Sequence, residues 1–151
     1  MDTSNVFMNN IWDATYPWWQ VDTNDSNYSP DYDVLYSPSS SNVVHWLGTN
    51  YTLAAFQAAK SKMMHSIQGD PKLTNAAGSD FTLQSSSPAI DAGTNLGSTY
   101  QNELSPNSVW PASVMTLNQN SFGKGWEIGA FVAGTVVSKP NPPTNLTTTV
   151  Q

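Results

Sequence analysis

Apolar residues come along this chain in short bursts, many of them β-branched or aromatic, each broken by small polar residues. That pattern favours short strands joined by turns. Asn5–Trp12 (NVFMNNIW) carries Val6, Phe7, Ile11 and Trp12 and predicts a strand. Asp33–Tyr36 (DVLY) predicts a second, and the serines that follow predict a turn. Val43–Trp46 reads as a third strand or a bridge. Phe81-Thr-Leu-Gln predicts another, with Phe81 and Leu83 on one face. Glu127–Val132 (EIGAFV) predicts the last, which Val136-Val137 would extend. Only Thr52–Ile67 has helical spacing. Leu53, Phe56, Met63 and Ile67 recur near the helical period, alanines fill the gaps, and Thr52 is a natural N-cap. Gly69-Asp-Pro is expected to end it. Nothing alternates strand and helix regularly, which argues against a doubly wound sheet. The expected class is all-β with one short helix near 52–67.

Composition narrows the function classes. The chain has 151 residues, enough for one domain with its own core, and only 11% are charged. Soluble domains average about 25%. Serine (19), threonine (15) and asparagine (15) supply the polarity instead. Net charge is −6, the five basic residues are all lysines, and arginine is absent. Phosphate recognition leans on arginine forks and clustered positive charge, so nucleic acid is excluded as a partner. No apolar run approaches the ~18 residues of a membrane span. Without cysteine there is no disulfide framework and no thiolate metal site. The start, MDTSNVFMNN, lacks the pattern of a signal peptide. The end, from Lys139-Pro-Asn-Pro-Pro, reads as a proline linker entering a new strand. The expectation is therefore a piece of a longer protein, with one unit over 1–135 and a linker plus the beginning of a following β domain over 136–151.

Several motifs carry a family resemblance. Val6-Phe-Met-Asn-Asn-Ile-Trp is followed by Asp31-Tyr-Asp-Val-Leu-Tyr. Trp46-Leu-Gly leads through the helical stretch to Asp70-Pro-Lys-Leu. Then come Asp80-Phe-Thr-Leu-Gln, Ser86-Ser-Pro-Ala-Ile-Asp-Ala-Gly93 and Glu127-Ile-Gly-Ala-Phe131. Together these resemble the C-terminal end of bacterial right-handed parallel β-helix proteins of the pectate-lyase-like group. The tail Pro140–Gln151 resembles the first strand of a fibronectin type III domain. The resemblance implies the last coils and C-terminal cap of a parallel β-helix, with the remainder upstream and the 52–67 helix as part of the cap. It also implies an extracellular or cell-surface protein that works on carbohydrate as a lyase or hydrolase, with its catalytic residues upstream. The alternative is a non-catalytic glycan-binding or adhesive surface protein. In the cap reading Phe81, Leu83, Ile90, Ile128 and Phe131 are core, and Asp91 caps backbone.

Within the chain itself, catalytic chemistry is thin. Lys60 and Lys62 read as a solvated helix face. Asp31/Asp33 and Asp22/Asp25 are the closest carboxylate pairs for glycoside hydrolysis, and both read more simply as loop caps. Asp22, Asn24 and Asp33 faintly echo a calcium loop, with asparagine where glycine is needed. His45 and His65 lack zinc spacing. Aromatic residues offer more. Trp faces stack on sugar rings. Tyr16-Pro-Trp18-Trp19 beside an Asx-rich loop is thus a candidate polysaccharide platform, with core packing as its competitor.

Overall fold

The computed structural model describes residues 5–15, 19–21, 28–109 and 111–133. The stretch read as one strand over 5–12 is two, β1 (Asn5–Met8) and β2 (Ile11–Asp13), followed by β3 (Trp19–Val21). A second pass repeats the order as β4 (Tyr28–Asp31), β5 (Val34–Tyr36) and β6 (Val44–Trp46). The passes pair in parallel: β1 with β4, β2 with β5, and β3 with β6. Left-handed residues turn both corners, Asn9 (φ 59°) between β1 and β2 and Tyr32 (φ 56°) between β4 and β5. Asparagine tolerates that region; tyrosine there marks a corner held by its surroundings. The Tyr32 ring stacks on His65 at 4.5 Å, and its carbonyl accepts the Asn9 N–H at 3.0 Å.

After β6 the parallel order stops. Leu47 (φ 48°) and Gly48 (φ 77°) form a two-residue turn with both φ positive, which folds β7 (Thr49–Tyr51) back antiparallel on β6. Helix α1 (Leu53–Lys60) follows, and Thr52 Oγ accepts the Ala55 N–H as the sequence predicts. The helix is shorter than the expected 52–67. Ser61 closes it in the left-handed region, its N–H reaching the Gln57 carbonyl. Met63 and Ile67 match the helical period, yet Met63 enters the core from a turn at φ 57°. Ile67 starts β8 (Ile67–Gln68), which joins β5 in parallel. Beyond it, β9 (Leu73–Asn75) with β10 (Asp80–Leu83) and β11 (Asn102–Leu104) with β12 (Thr116–Asn118) are antiparallel pairs. Residues 127–132 are not the expected strand. Single bridges hold that region, Gly93 to Trp126 and Leu104 to Phe131, and Gly129 breaks it at φ 130°.

The expectation of an all-β chain with one short helix stands. The expected β-helix cap is not shown. The described strands fall into separate sheets of two or three strands, and no closed solenoid forms among the described residues. The tail from 134 onward, with the expected linker and following strand, lies outside the described residues.

Strand β5 explains where the core sits. Neighbouring side chains on a strand point to opposite faces, so a strand with both sides covered buries consecutive residues. Leu35 joins Val43, Val44, Trp46, Leu53, Phe56 and Met63 on one side. Val34 joins Ala89 and Ile128 on the other, with Ile11, Ile67 and Leu83 packed against them. Of the expected core, Ile128 is fully buried, while Leu83, Ile90 and Phe131 are half-buried. Phe81 is the correction: it is 49% exposed. The register of β9 and β10 shifts between Asp80 and Leu83, so the two residues no longer share a face.

Candidate functional site

The Phe81 ring opens onto a cleft of about 580 Å³. Its floor is the corner between β1 and β2, with Asn10, Trp12 and Asp13. Leu73 and Phe81 of the β9–β10 hairpin form one wall, and Gly129 and Ala130 form another. The site thus combines two aromatic residues with an amide and a carboxylate. Asp13 is the titratable group in the lining; desolvation first, and then the charge of Asp70, push its carboxyl above the usual range. Asp70 is occupied elsewhere, 2.9 Å from the Lys72 ammonium, and hydrogen bonds from Lys72 hold its carboxyl low.

Asp33 ties the Asn10 corner of the cleft to the core. Asp33 is fully buried, and its Oδ1 accepts the Asn10 backbone N–H at 2.8 Å and the Asn10 side-chain amide at 2.9 Å. Its own N–H donates to Ser66 Oγ at 3.1 Å. Burial pushes the carboxyl up to about 6, against the lowering effect of Asn10 and of the Trp12 indole N–H. A carboxyl raised in the folded state keeps its proton where the unfolded chain has already released it. Its contribution to stability is therefore full below about pH 4 and fades as pH rises toward about 6. Asp33→Asn keeps an acceptor for Asn10 and removes the titration. Urea unfolding of this variant is expected to show a shallower decline across that window than the wild type, the remainder coming from the other raised carboxyls, Asp13, Glu103 and Glu127; an undiminished decline would assign all of it to them.

Most residues singled out in the sequence fall elsewhere. Tyr16 and Trp18 lie outside the described residues, as does the side chain of Trp19. Asp22, Asn24 and Asp25 lie outside them too, so of the calcium-like set only Asp33 is placed, and it faces inward. Asp31 and Asp33 take separate hydrogen-bond partners, and the Asp31 charge adds to the raising of Asp33. Asp31 accepts the backbone N–H groups of Tyr32 and His65 and meets His65 Nδ1 at 2.8 Å. Lys60 is exposed as expected. Lys62 is not a solvated cation: its ammonium donates to the Tyr28 carbonyl at 2.8 Å and sits 5.8 Å over the Trp46 ring. Nδ1 of His45 lies 2.6 Å from the Asn50 side-chain oxygen. Asp91 does cap backbone, accepting the N–H groups of Lys124 and Gly125 at 2.7 and 3.0 Å. Among the described residues no three histidine or acidic side chains are grouped to hold a metal ion. No helix among them is long and apolar enough to cross a membrane.

Two arrangements escaped the sequence reading altogether. One is the cleft, whose residues come from three distant segments. The other is Glu103 of β11, whose carboxyl is pushed up to about 8 by burial first and then by the charge of Glu127. Neither has a local sequence signal.

No family model, no curated protein and no solved structure matches this chain. With separate small sheets and no matching family model, the resemblance to the right-handed parallel β-helix group is not upheld and is set aside.

Proposed function

We propose that this chain is a carbohydrate-binding module of an extracellular or cell-surface protein, and that the Phe81 cleft is its binding site. The observation that carries the reading is the exposed Phe81 ring on the wall of a cleft that also offers Trp12, Asn10 and Asp13. A sugar ring presents an apolar C–H face and a rim of hydroxyls. An aromatic face with the Asn10 amide oxygen and the Asp13 carboxylate as partners matches both, and the cleft volume lies within the range of small-ligand sites. Composition supports it as well, since low charge and abundant Asn, Ser and Thr suit neutral, hydroxyl-rich partners. Binding is favoured over hydrolysis by the lining itself. Glycoside cleavage needs two carboxyl groups flanking the bond, and Asp13 is the cleft's single carboxylate among the described residues.

The test uses the exposure of Phe81. Phe81→Ala removes a half-exposed ring, so stability should change by under about 1 kcal/mol. Affinity for the best ligand from a panel of neutral and acidic oligosaccharides should fall at least about tenfold by calorimetric titration, a loss of about 1.4 kcal/mol. Equal affinity in the two proteins would refute the site. The wild-type protein should also leave the panel uncleaved; turnover abolished by Asp13→Asn would replace binding with catalysis.

A further inference from the structure

The polar side chains of the Phe81 cleft are one-sided in what they leave for a ligand. Asn10 donates one amide hydrogen to the Met8 carbonyl at 3.1 Å and the other to Asp33 Oδ1 at 2.9 Å, so its oxygen is the end left over. Asp33 thereby sets which end of that amide a ligand meets. Asn9 is engaged with Thr94, donating to its carbonyl at 2.8 Å and accepting its N–H at 2.9 Å. The Trp12 indole N–H is buried and acts on Asp33 behind the floor. Asp13 is exposed, and an ionised carboxylate only accepts. The remaining lining side chains are apolar or absent. Among the described residues, the lining side chains therefore offer a ligand acceptors and no donor, and no lysine is among them.

We propose that the Phe81 cleft selects a hexosamine whose amine is free and protonated, with the ammonium on Asp13, over its N-acetylated or uronate counterpart. The inference rests on the carbohydrate reading of the same cleft and names its ligand class. An ammonium brings three donors and no acceptor, which complements this lining, and its bond to a carboxylate is of the strong, charge-assisted kind. The sugar hydroxyls donate to the Asn10 oxygen, and the C–H face of the ring lies on Phe81. Acetylation removes the charge and adds a carbonyl oxygen that the lining side chains cannot serve. A uronate brings a second anion to a site that already holds one, and like charges repel. The neighbours of Asp13 strengthen the selection. Desolvation first, and then the charge of Asp70, already raise its carboxyl, and a bound cation offsets both. The chain does not supply that cation itself: the Lys72 ammonium is held by Asp70 at 2.9 Å, and the register partner of Asp13 on β5 is Tyr36.

Calorimetric titration with β-1,4-linked tetramers of glucosamine, N-acetylglucosamine and a uronic acid reads the selection. At about pH 6.5 the amine holds its proton. The glucosamine tetramer should then bind at least about tenfold more tightly than the N-acetylated one, with the uronate weakest. At about pH 9 the amine is neutral, and the advantage should shrink to within about threefold. Asp13→Asn should shrink it equally at about pH 6.5; if that variant folds poorly, the wild-type comparison at the two pH values decides. Tetralysine carries similar charge without sugar rings and should bind at least about tenfold more weakly than the glucosamine tetramer. No preference at about pH 6.5, a preference that survives Asp13→Asn or about pH 9, or equal binding of tetralysine would overturn the inference. If the N-acetylated tetramer still binds and Phe81→Ala weakens it, the cleft remains a carbohydrate site and only the selection is lost. If Phe81→Ala weakens neither sugar, the cleft reading falls and the inference with it.

Discussion

Phe56→Ala is expected to lower the free energy of unfolding by about 3–5 kcal/mol. Phe56 is fully buried and, with Leu53, seats α1 in the core. Its ring meets Trp46 of β6 at 5.4 Å, tilted by 54°, and Tyr51 of β7 edge-on at 5.8 Å. Truncation leaves a cavity between helix and hairpin that neither can close. The helix is held at both ends, at Thr52 by its cap and at Met63 by the Gln57 side chain, which donates to the Met63 carbonyl at 2.7 Å. Domains of this size unfold with about 5–15 kcal/mol, so the loss is a large share of the total. Urea unfolding followed by tryptophan fluorescence measures it. A change under about 1.5 kcal/mol would place the core elsewhere.

The second large effect belongs to Gly93→Ala, expected to cost about 2–4 kcal/mol. A β-carbon at position 93 would lie 3.0 Å from the Trp126 carbonyl oxygen and nearer still to that of Glu127. Both are backbone atoms, so no rotamer change relieves the contact. The same residue donates its N–H to the Trp126 carbonyl at 2.7 Å, the bond that docks residues 126–128 beside the 87–93 loop. Losing it also disturbs Ile128, whose N–H is held by the Ala89 carbonyl at 2.9 Å. Gly69→Ala is the matched comparison, because a β-carbon there meets nothing within 4 Å. It should stay within about 0.5 kcal/mol of wild type in thermal unfolding. Equal effects at the two positions would contradict the packing described for the 126–128 segment.

The parts legible in the sequence are those that rest on local chemistry. Val34–Tyr36, Val44–Trp46 and Asp80–Leu83 are strands because β-branched and aromatic residues are bounded there by turn formers. Thr52 was recognisable as a cap because an oxygen on a short side chain reaches its own backbone neighbourhood, whereas the N–H groups that Asp91 caps lie more than thirty residues along the chain. The helix end was not legible. Ser61 takes a left-handed conformation that sequence statistics assign to glycine, and Met63 and Ile67 kept the apolar spacing after the helix had stopped. Strand β7, Thr49-Asn-Tyr, is polar and was invisible because its position comes from the Leu47-Gly48 turn. The exposed face of Phe81 depends on a register shift, and no residue pattern announces one. The cleft and the setting of Glu103 are assembled from segments far apart in the chain, so only the folded arrangement brings them together.

That arrangement makes the binding reading directly measurable. Backbone amide resonances of the 15N-labelled protein, followed while the oligosaccharide panel is titrated in, map contact residue by residue. At least one glycan is expected to give saturable shifts confined to Asn10–Asp13, the β9–β10 hairpin around Phe81, and Gly129–Ala130, with the α1 resonances unmoved. Shifts that map to another surface, or no shift with any member of the panel, would contradict the binding reading.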